Sequence, residues 1–333
     1  MTQKTVNRLT LAVALAMFFV AIFVLYRELE NTRLIDVVDS LEALSRTRII
    51  VALGLTAASY LLLTAYDFLA LNYVGHKLRL RQTVFASFIA FAFSNNLGFA
   101  LMSGSSVRYW IYTGFGLSPV EIWEIVAFCP LTYGLGVATV GGLMFLFDPA
   151  GVASIVNLPQ PLLRAAAIAM LAMVAAYLTV IVARRGPIAL WRYQMRLPSL
   201  GCGLMQISVA SLDQALAAGV VYVLLPPDSQ ISFHVFLGVY VIAAPISLLS
   251  LVPGGLGVFE TMVVALLVGT SKAALLGSLI AYRLIYFVLP FALAILLVAI
   301  HEIRRSSRKS GWPGRLLGAL TRNSKRDPDH DPR

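Results

Sequence analysis

The sequence predicts an all-α, polytopic membrane protein with about six full spans and two interrupted hairpins. Three observations predict it. Hydrophobic residues make up 59% and charged residues 13% of the 333 positions, against roughly 45–50% and 25% in soluble domains. Apolar runs long enough for a bilayer recur along the chain. Basic residues gather in short loops and in the tail, so the formal charge of +10 follows the positive-inside pattern and excludes nucleic acid as the expected partner. Cys129 and Cys202 lie far apart in apolar surroundings and form neither a disulfide framework nor a metal-ligand spacing.

The elements follow in chain order. Lys4 and Arg8 precede an apolar run over 9–26, a marginal span of about 18 residues. Tyr26-Arg27-Glu28-Leu29 follows it instead of a small-x-small cleavage site, so the run reads as a retained first helix rather than a signal peptide. Further spans are expected at 49–74, 121–147, 164–183, 203–225 and 274–300. Two remaining apolar segments, 83–103 and 232–270, are interrupted by Gly, Pro or polar residues. Ser118-Pro119-Val120-Glu121 reads as a capping box with Pro at the first helical position, starting the span at 121–147, and Glu124 falls one turn on at the same end.

Loop charge sets an orientation. His76-Lys77-Leu78-Arg79-Leu80-Arg81, the group Arg184, Arg185, Arg192 and Arg196, and the residues from Arg304 onward are basic. Arginines number four against five acids between Arg27 and Arg48, and 148–163 and 226–233 contain no Lys or Arg. Both termini are therefore expected in the cytoplasm. Parity then requires 83–103 to enter from inside and return inside, while 232–270 either re-enters from outside or crosses twice. The re-entrant choice makes 49–147 and 203–300 one helix–hairpin–helix unit in opposite orientations, an inverted repeat with its site where the two interrupted segments meet. The membrane domain is expected over 1–303, with a basic, disordered cytoplasmic tail over 304–333.

The sharpest local signal is Ser250-Leu251-Val252-Pro253-Gly254-Gly255-Leu256-Gly257-Val258-Phe259-Glu260. Pro removes a backbone donor and Gly disfavours continued helix, so peptide groups should open here. Lipid cannot satisfy them, and such an opening is tolerated only inside protein or beside a watery cavity. The stretch from Val252 to Glu260 resembles the signature of the flippase-like membrane domain of bacterial lysylphosphatidylglycerol synthases, the multiple peptide resistance factor family. Ser106-Val107-Arg108-Tyr109-Trp110-Ile111-Tyr112, followed by Gly116-Leu117-Ser118-Pro119-Val120-Glu121, is similar to that domain's second recurring motif. The resemblance runs from the second span to the last. Full members of that family add helices and a soluble domain that joins an amino acid from charged tRNA to phosphatidylglycerol. Since the chain ends at Arg333, the resemblance implies binding or translocation of lipid, including aminoacylated phosphatidylglycerol, and no synthase activity.

Charged residues inside the apolar segments are the candidate site. Asp213 lies in mid-span with Gln206 on the same face. An acid at the bilayer centre costs about 2.5–3.5 kcal/mol on insertion scales, so it should face protein or water. Asp67 is expected nearer the cytoplasmic end, within easy reach of water. Glu260 either compensates the dipole of the helix it starts or serves in the site. Arg283, with Tyr286 on its face and Tyr282 adjacent, either holds a phosphate or pairs with Asp213 or Glu260 and locks helices together. Arg108 follows the polar breaks Ser94-Asn95-Asn96-Leu97-Gly98 and Ser103-Gly104-Ser105-Ser106. It is expected at the cytoplasmic mouth beside open amides that suit a phosphate, ordinary snorkelling being the alternative.

Enzyme chemistry finds little footing. The histidines are scattered, and the sequence contains no His-Glu-x-x-His, nucleotide loop or dinucleotide fingerprint. No cofactor or metal is expected. The expected activity is movement of a phospholipid headgroup between leaflets of the bacterial inner membrane, passively or coupled to an ion. Arg108 and Arg283 would hold phosphate, Asp213 and Glu260 would balance charge or meet an amine, and Pro253, Gly254, Gly255 and Gly257 would shape the cleft. The alternative is a membrane-embedded transferase or an accessory subunit of lipid modification. Candidate partners are the membrane itself, a second copy of the chain, or a separate lipid-modifying enzyme.

Overall fold

The computed structural model describes residues 44–97, 100–184, 188–190, 193–195, 197–250, 253–267 and 270–309. The first apolar run at 9–26 and most of the expected tail lie outside them. The described residues form helices α1 (Arg46–Val74), α2 (Leu80–Leu97), α3 (Ala100–Gly114), α4 (Pro119–Phe147), α5 (Pro149–Val156), α6 (Gln160–Ala183), α7 (Leu200–Leu224), α8 (Phe233–Leu249), α9 (Val258–Leu266), α10 (Lys272–Tyr282) and α11 (Leu289–Lys309). A 3-10 turn over Pro253–Gly255 joins α8 to α9, and a π segment over Arg283–Val288 runs α10 into α11. One compact unit ends at Phe291 and a second begins at Ala292.

Among the described residues, five helices are long and apolar enough to cross a membrane: α1, α4, α6, α7 and the continuous run Lys272–Ile303. They match the expected spans with ends shifted by a few residues. Two features were not anticipated. Antiparallel strands β1 (Ile188–Leu190) and β2 (Tyr193–Met195) pair in the basic loop, with Ala189 opposite Gln194. The last helix also continues through Lys309, past the expected boundary at 303.

The surface differs from that of a water-soluble bundle, while the core is apolar as usual. Phe147 is 80% exposed and Leu249 75%, whereas Asp67 and Gln206 are fully buried. Apolar side chains face outward because lipid accepts them, and charged groups turn inward because lipid does not.

Helix starts follow local chemistry. The Ser118 hydroxyl accepts from the Glu121 N–H, and the Glu121 carboxylate accepts from the Ser118 N–H at 2.7 Å, completing the expected capping box of α4. Asp148 caps α5 by accepting the Gly151 N–H at 2.8 Å. That bond, and secondarily His234 at 3.1 Å, holds the Asp148 carboxyl below its ordinary range.

Loops at each end of the bundle are tied together. The Asp148–His234 contact joins the two loops that contain no Lys or Arg. At the other end His76, ahead of α2, meets Glu121, behind α3, at 3.1 Å. The loops flanking the α2–α3 pair therefore lie side by side. Helices α1 and α7 run antiparallel: Arg48, at the start of α1, donates to the Leu225 carbonyl at the end of α7 (3.0 Å), while Ser59 meets Asp213 midway along both.

The α4–α7 crossing depends on small residues. A Cβ on Gly136 would stand 2.6 Å from the Ala210 Cβ and 2.7 Å from its backbone carbon, so the helices touch backbone to backbone. Gly134, one step away, faces open space. Gly136→Val should lower the thermal unfolding midpoint of detergent-solubilised protein, at a cost of about 1–3 kcal/mol for overpacking. Gly134→Val should leave the midpoint within error, and equal effects of the two would contradict this packing.

Candidate functional site

The break after α8 is built by glycine conformation. Gly254, Gly255 and Gly257 have φ of 59°, 61° and 78°, a left-handed region that L side chains adopt only at a cost. The turn leaves the carbonyls of Gly254 and Gly255 pointing away from any helix ladder. Arg283 satisfies both. Its Nη1 donates to the Gly254 carbonyl and its Nη2 to the Gly255 carbonyl at 3.0 Å. The same guanidinium takes Glu260 in a two-point contact, Nε to Oε1 at 2.5 Å and Nη2 to Oε2 at 3.0 Å. Glu260 Oε2 also accepts the Gly257 N–H at 2.9 Å, so the carboxylate starts α9 and neutralises the arginine together. Phe287 lies under the guanidinium at 4.7 Å. Glu260 thus starts the helix, one of its two expected roles, and is also the acid that the pairing alternative for Arg283 named.

The other interrupted segment reaches this point. The backbone oxygens of Asn95 and Asn96, at the end of α2, lie 3.5 and 3.3 Å from where a Cβ on Gly254 would sit. The Asn96 amide donates to the Ala92 and Phe287 carbonyls at 2.8 and 3.2 Å. The turn after α8 and the end of α2 therefore touch. Pro253 opens the 3-10 turn that brings Gly254 there.

Arg108 and Asp67 correct two expectations. Arg108 is 5% exposed and Asp67 fully buried, so neither sits at a watery mouth. Residues 100–114 continue as helix, which draws Arg108 into the bundle instead of leaving it on an open loop. Arg108 donates from Nε to Oδ1 of Asp67 at 3.2 Å, its Nη2 lies 3.1 Å from the same oxygen as an ion-pair contact, and the Cys129 thiol donates to that oxygen at 3.2 Å. Phe91 lies 4.6 Å from the guanidinium carbon. Each half of the chain thus buries one arginine against one acid and one phenyl ring.

Asp213 joins neither pair. Its Oδ1 accepts from Ser59 at 2.6 Å and its Oδ2 from Tyr66 at 3.3 Å, both on α1. Ser59 in turn meets the Tyr286 hydroxyl at 2.8 Å. Gln206, on the same face of α7, bonds instead to Thr132 and Tyr177. Ser59, Tyr66 and Ser247, whose hydroxyl donates to the Gly255 carbonyl at 3.1 Å, were absent from the expected site, whereas Tyr286 was expected beside Arg283. The seven-residue spacing of Ser59 and Tyr66 matches that of Gln206 and Asp213 and is the signal that could have found the first two.

Helices that turn apolar side chains outward and bury charged pairs around two broken segments define a polytopic membrane protein. The chain belongs to the family of the inner membrane protein YbhN, which extends to the membrane region of phosphatidylglycerol lysyltransferases. A Synechocystis protein described as uncharacterized protein slr0712 is 35% identical over 93% of this chain and 98% of its own length. YbhN of Escherichia coli is 31% identical over 76% of this chain and 79% of its own. The phosphatidylglycerol lysyltransferase of Staphylococcus xylosus is 24% identical over 95% of this chain, which spans 36% of that enzyme. No protein-family model matches the chain.

The turn itself can be tested by a side-chain swap. A Cβ on Gly255 would lie 1.9 Å from the Ser247 hydroxyl and 3.2 Å from its Cβ. Gly255→Ala should therefore destabilise the solubilised protein, and Ser247→Ala in the same chain should restore part of the loss by removing the closest atom. The strain of a left-handed alanine, about 1–2 kcal/mol, should remain. A double variant no more stable than Gly255→Ala would contradict this contact.

Proposed function

We propose that the protein moves a phospholipid headgroup between leaflets through the polar centre where the two interrupted segments meet. The abutment of the Gly254 turn on Asn95 and Asn96 carries this reading. Two helix breaks facing each other inside an apolar bundle place polar backbone and paired charges where lipid alone offers none. The relatives named for lysine transfer to phosphatidylglycerol favour a phospholipid as cargo, aminoacylated phosphatidylglycerol included.

In this reading α2–α3 and α8–α9 are re-entrant hairpins in an inverted repeat, and both termini are cytoplasmic in the inner membrane. The antiparallel α1–α7 pair and the adjacent loops flanking α2–α3 support it. So does the nine-residue length of α9, about half of what a bilayer requires. Arg108 and Arg283 would take the phosphate, and Glu260 and Asp213 would take an amine. A guest with both charges can open an arginine–carboxylate pair without stranding either partner, which a singly charged guest cannot do.

Two measurements test the proposal. In vesicles with acyl-labelled aminoacylated phosphatidylglycerol in one leaflet, the protein should change lipid sidedness without changing lipid mass, and Gly255→Leu should abolish this while still inserting. A change of mass without a change of sidedness would favour membrane-embedded transfer chemistry instead. For topology, a thiol placed at exposed Thr113, in the last turn of α3, should label from the cytoplasmic side. One at exposed Gln160 should label from outside. Labelling of both positions from one side would overturn the re-entrant arrangement of α2–α3.

A further inference from the structure

Asp213 is the one buried carboxylate of the described bundle that the arginine pairs leave over. Arg108 is closed on Asp67 and Arg283 on Glu260. No Lys, Arg or His among the described residues lies within 4.0 Å of Asp213. The groups that bond to it are hydroxyls, Ser59 and Tyr66 from α1, with Tyr286 of the last helical run behind Ser59 and the phenols of Tyr60, Tyr133 and Tyr282 in its neighbourhood. Neutral donors stabilise a carboxylate less than a cation does, and a buried anion without a counter-charge is unfavourable.

The hydroxyls are also connected. Ser59 spans the gap between the Asp213 carboxyl, at 2.6 Å, and the Tyr286 phenol, at 2.8 Å. Tyr286 lies in the π segment, three residues beyond Arg283, and both side chains point into the core. Segments of π-helix inside α-helices are frequent at functional sites. The π segment therefore carries the arginine that holds the break at its first residue and the end of the hydroxyl chain within its next turn.

We propose that Asp213 is a proton-binding site and that the Asp213–Ser59–Tyr286 chain couples its proton to the α8–α9 break. Protonated, the Asp213 carboxyl donates to the Ser59 oxygen, Ser59 donates to the Tyr286 oxygen, and Tyr286 turns its own O–H to another acceptor. When the proton leaves, the chain reverses. The Asp213 proton passes to Ser59 as the Ser59 proton passes to the Tyr286 oxygen, and the phenolic proton of Tyr286 passes to water that enters with the cargo, so every protein oxygen except the carboxylate remains neutral. The deprotonated carboxylate then requires a cation, which the ammonium of a lipid head supplies. Proton release and cargo entry thereby become one exchange. Only the identity of that cargo rests on the proposed lipid movement; the proton site does not.

The test has a readout independent of transport. Infrared difference spectra of the detergent-solubilised full chain, taken from about pH 5 to about pH 9, should contain a protonated-carboxyl C=O band that disappears as pH rises. Asp213→Asn should abolish the band, Asp213→Glu should shift it, and Glu260→Gln should leave it in place. A wild-type spectrum without such a band, or a band that survives Asp213→Asn, would overturn the proton site. In vesicles, movement of acyl-labelled phosphatidylethanolamine by the wild type should change at least several-fold with the direction of an imposed pH gradient. Tyr286→Phe should flatten that dependence. Gradient-independent movement together with a genuine Asp213 band would overturn the coupling alone, and absence of lipid movement with the band intact would overturn the lipid cargo alone.

Discussion

A peptide carbonyl turned out of its helix inside a membrane finds no donor in lipid, so the protein must supply one. At the α8–α9 turn two successive carbonyls face this requirement, and Arg283 meets it for both. A lone guanidinium would bring its own penalty, because a buried charge is tolerated only when it is compensated. Glu260 compensates it and, by accepting the Gly257 N–H, also starts the helix that follows. Helix break, ion pair and helix cap are therefore one construction. Removing any part exposes the others: without Gly254 and Gly255 the turn closes, and without Glu260 the arginine is unpaired.

The first half solves the corresponding problem differently. Arg108 and Asp67 come from helices rather than from a broken turn, and they meet through a single carboxylate oxygen shared with Cys129. Asp213 then sits where α1 and α7 cross, held by Ser59 and Tyr66. The tip of α2 reaches across to the Gly254 turn through Asn95 and Asn96, so the two halves share one polar interior. The close α4–α7 contact at Gly136 and Ala210 belongs to the same economy of space, since small residues let backbones approach where lipid contributes no hydrophobic drive.

Much of the architecture was legible in the sequence, because long apolar runs and helix-opening residues act locally. The spans at 46–74, 119–147, 160–183 and 200–224 could be read to within a few residues, as could the Ser118–Glu121 cap and the Pro253–Gly257 break. The partners of the buried charges were not legible, since pairing depends on which helix faces which. Arg108 looked interfacial because Ser103 to Ser106 suggested a loop, yet the chain there is helix and carries it inward to Asp67. Asp67 looked close to water because its distance from His76 in sequence is short, yet α3 and α4 cover it. The π segment left no trace in composition at all, although the shared inward face of Arg283 and Tyr286 was legible from their spacing.

Arg283 and Glu260 act as one unit at the break. A double-mutant cycle on the solubilised protein, with Arg283→Gln, Glu260→Gln and the double variant followed by equilibrium unfolding, measures that directly. Glu260→Gln alone should cost about 3–5 kcal/mol by leaving a buried guanidinium unpaired, and the double should cost clearly less than the sum of the singles. Additive losses would mean that the two residues are energetically independent, and the break would then owe its shape to something other than this pair.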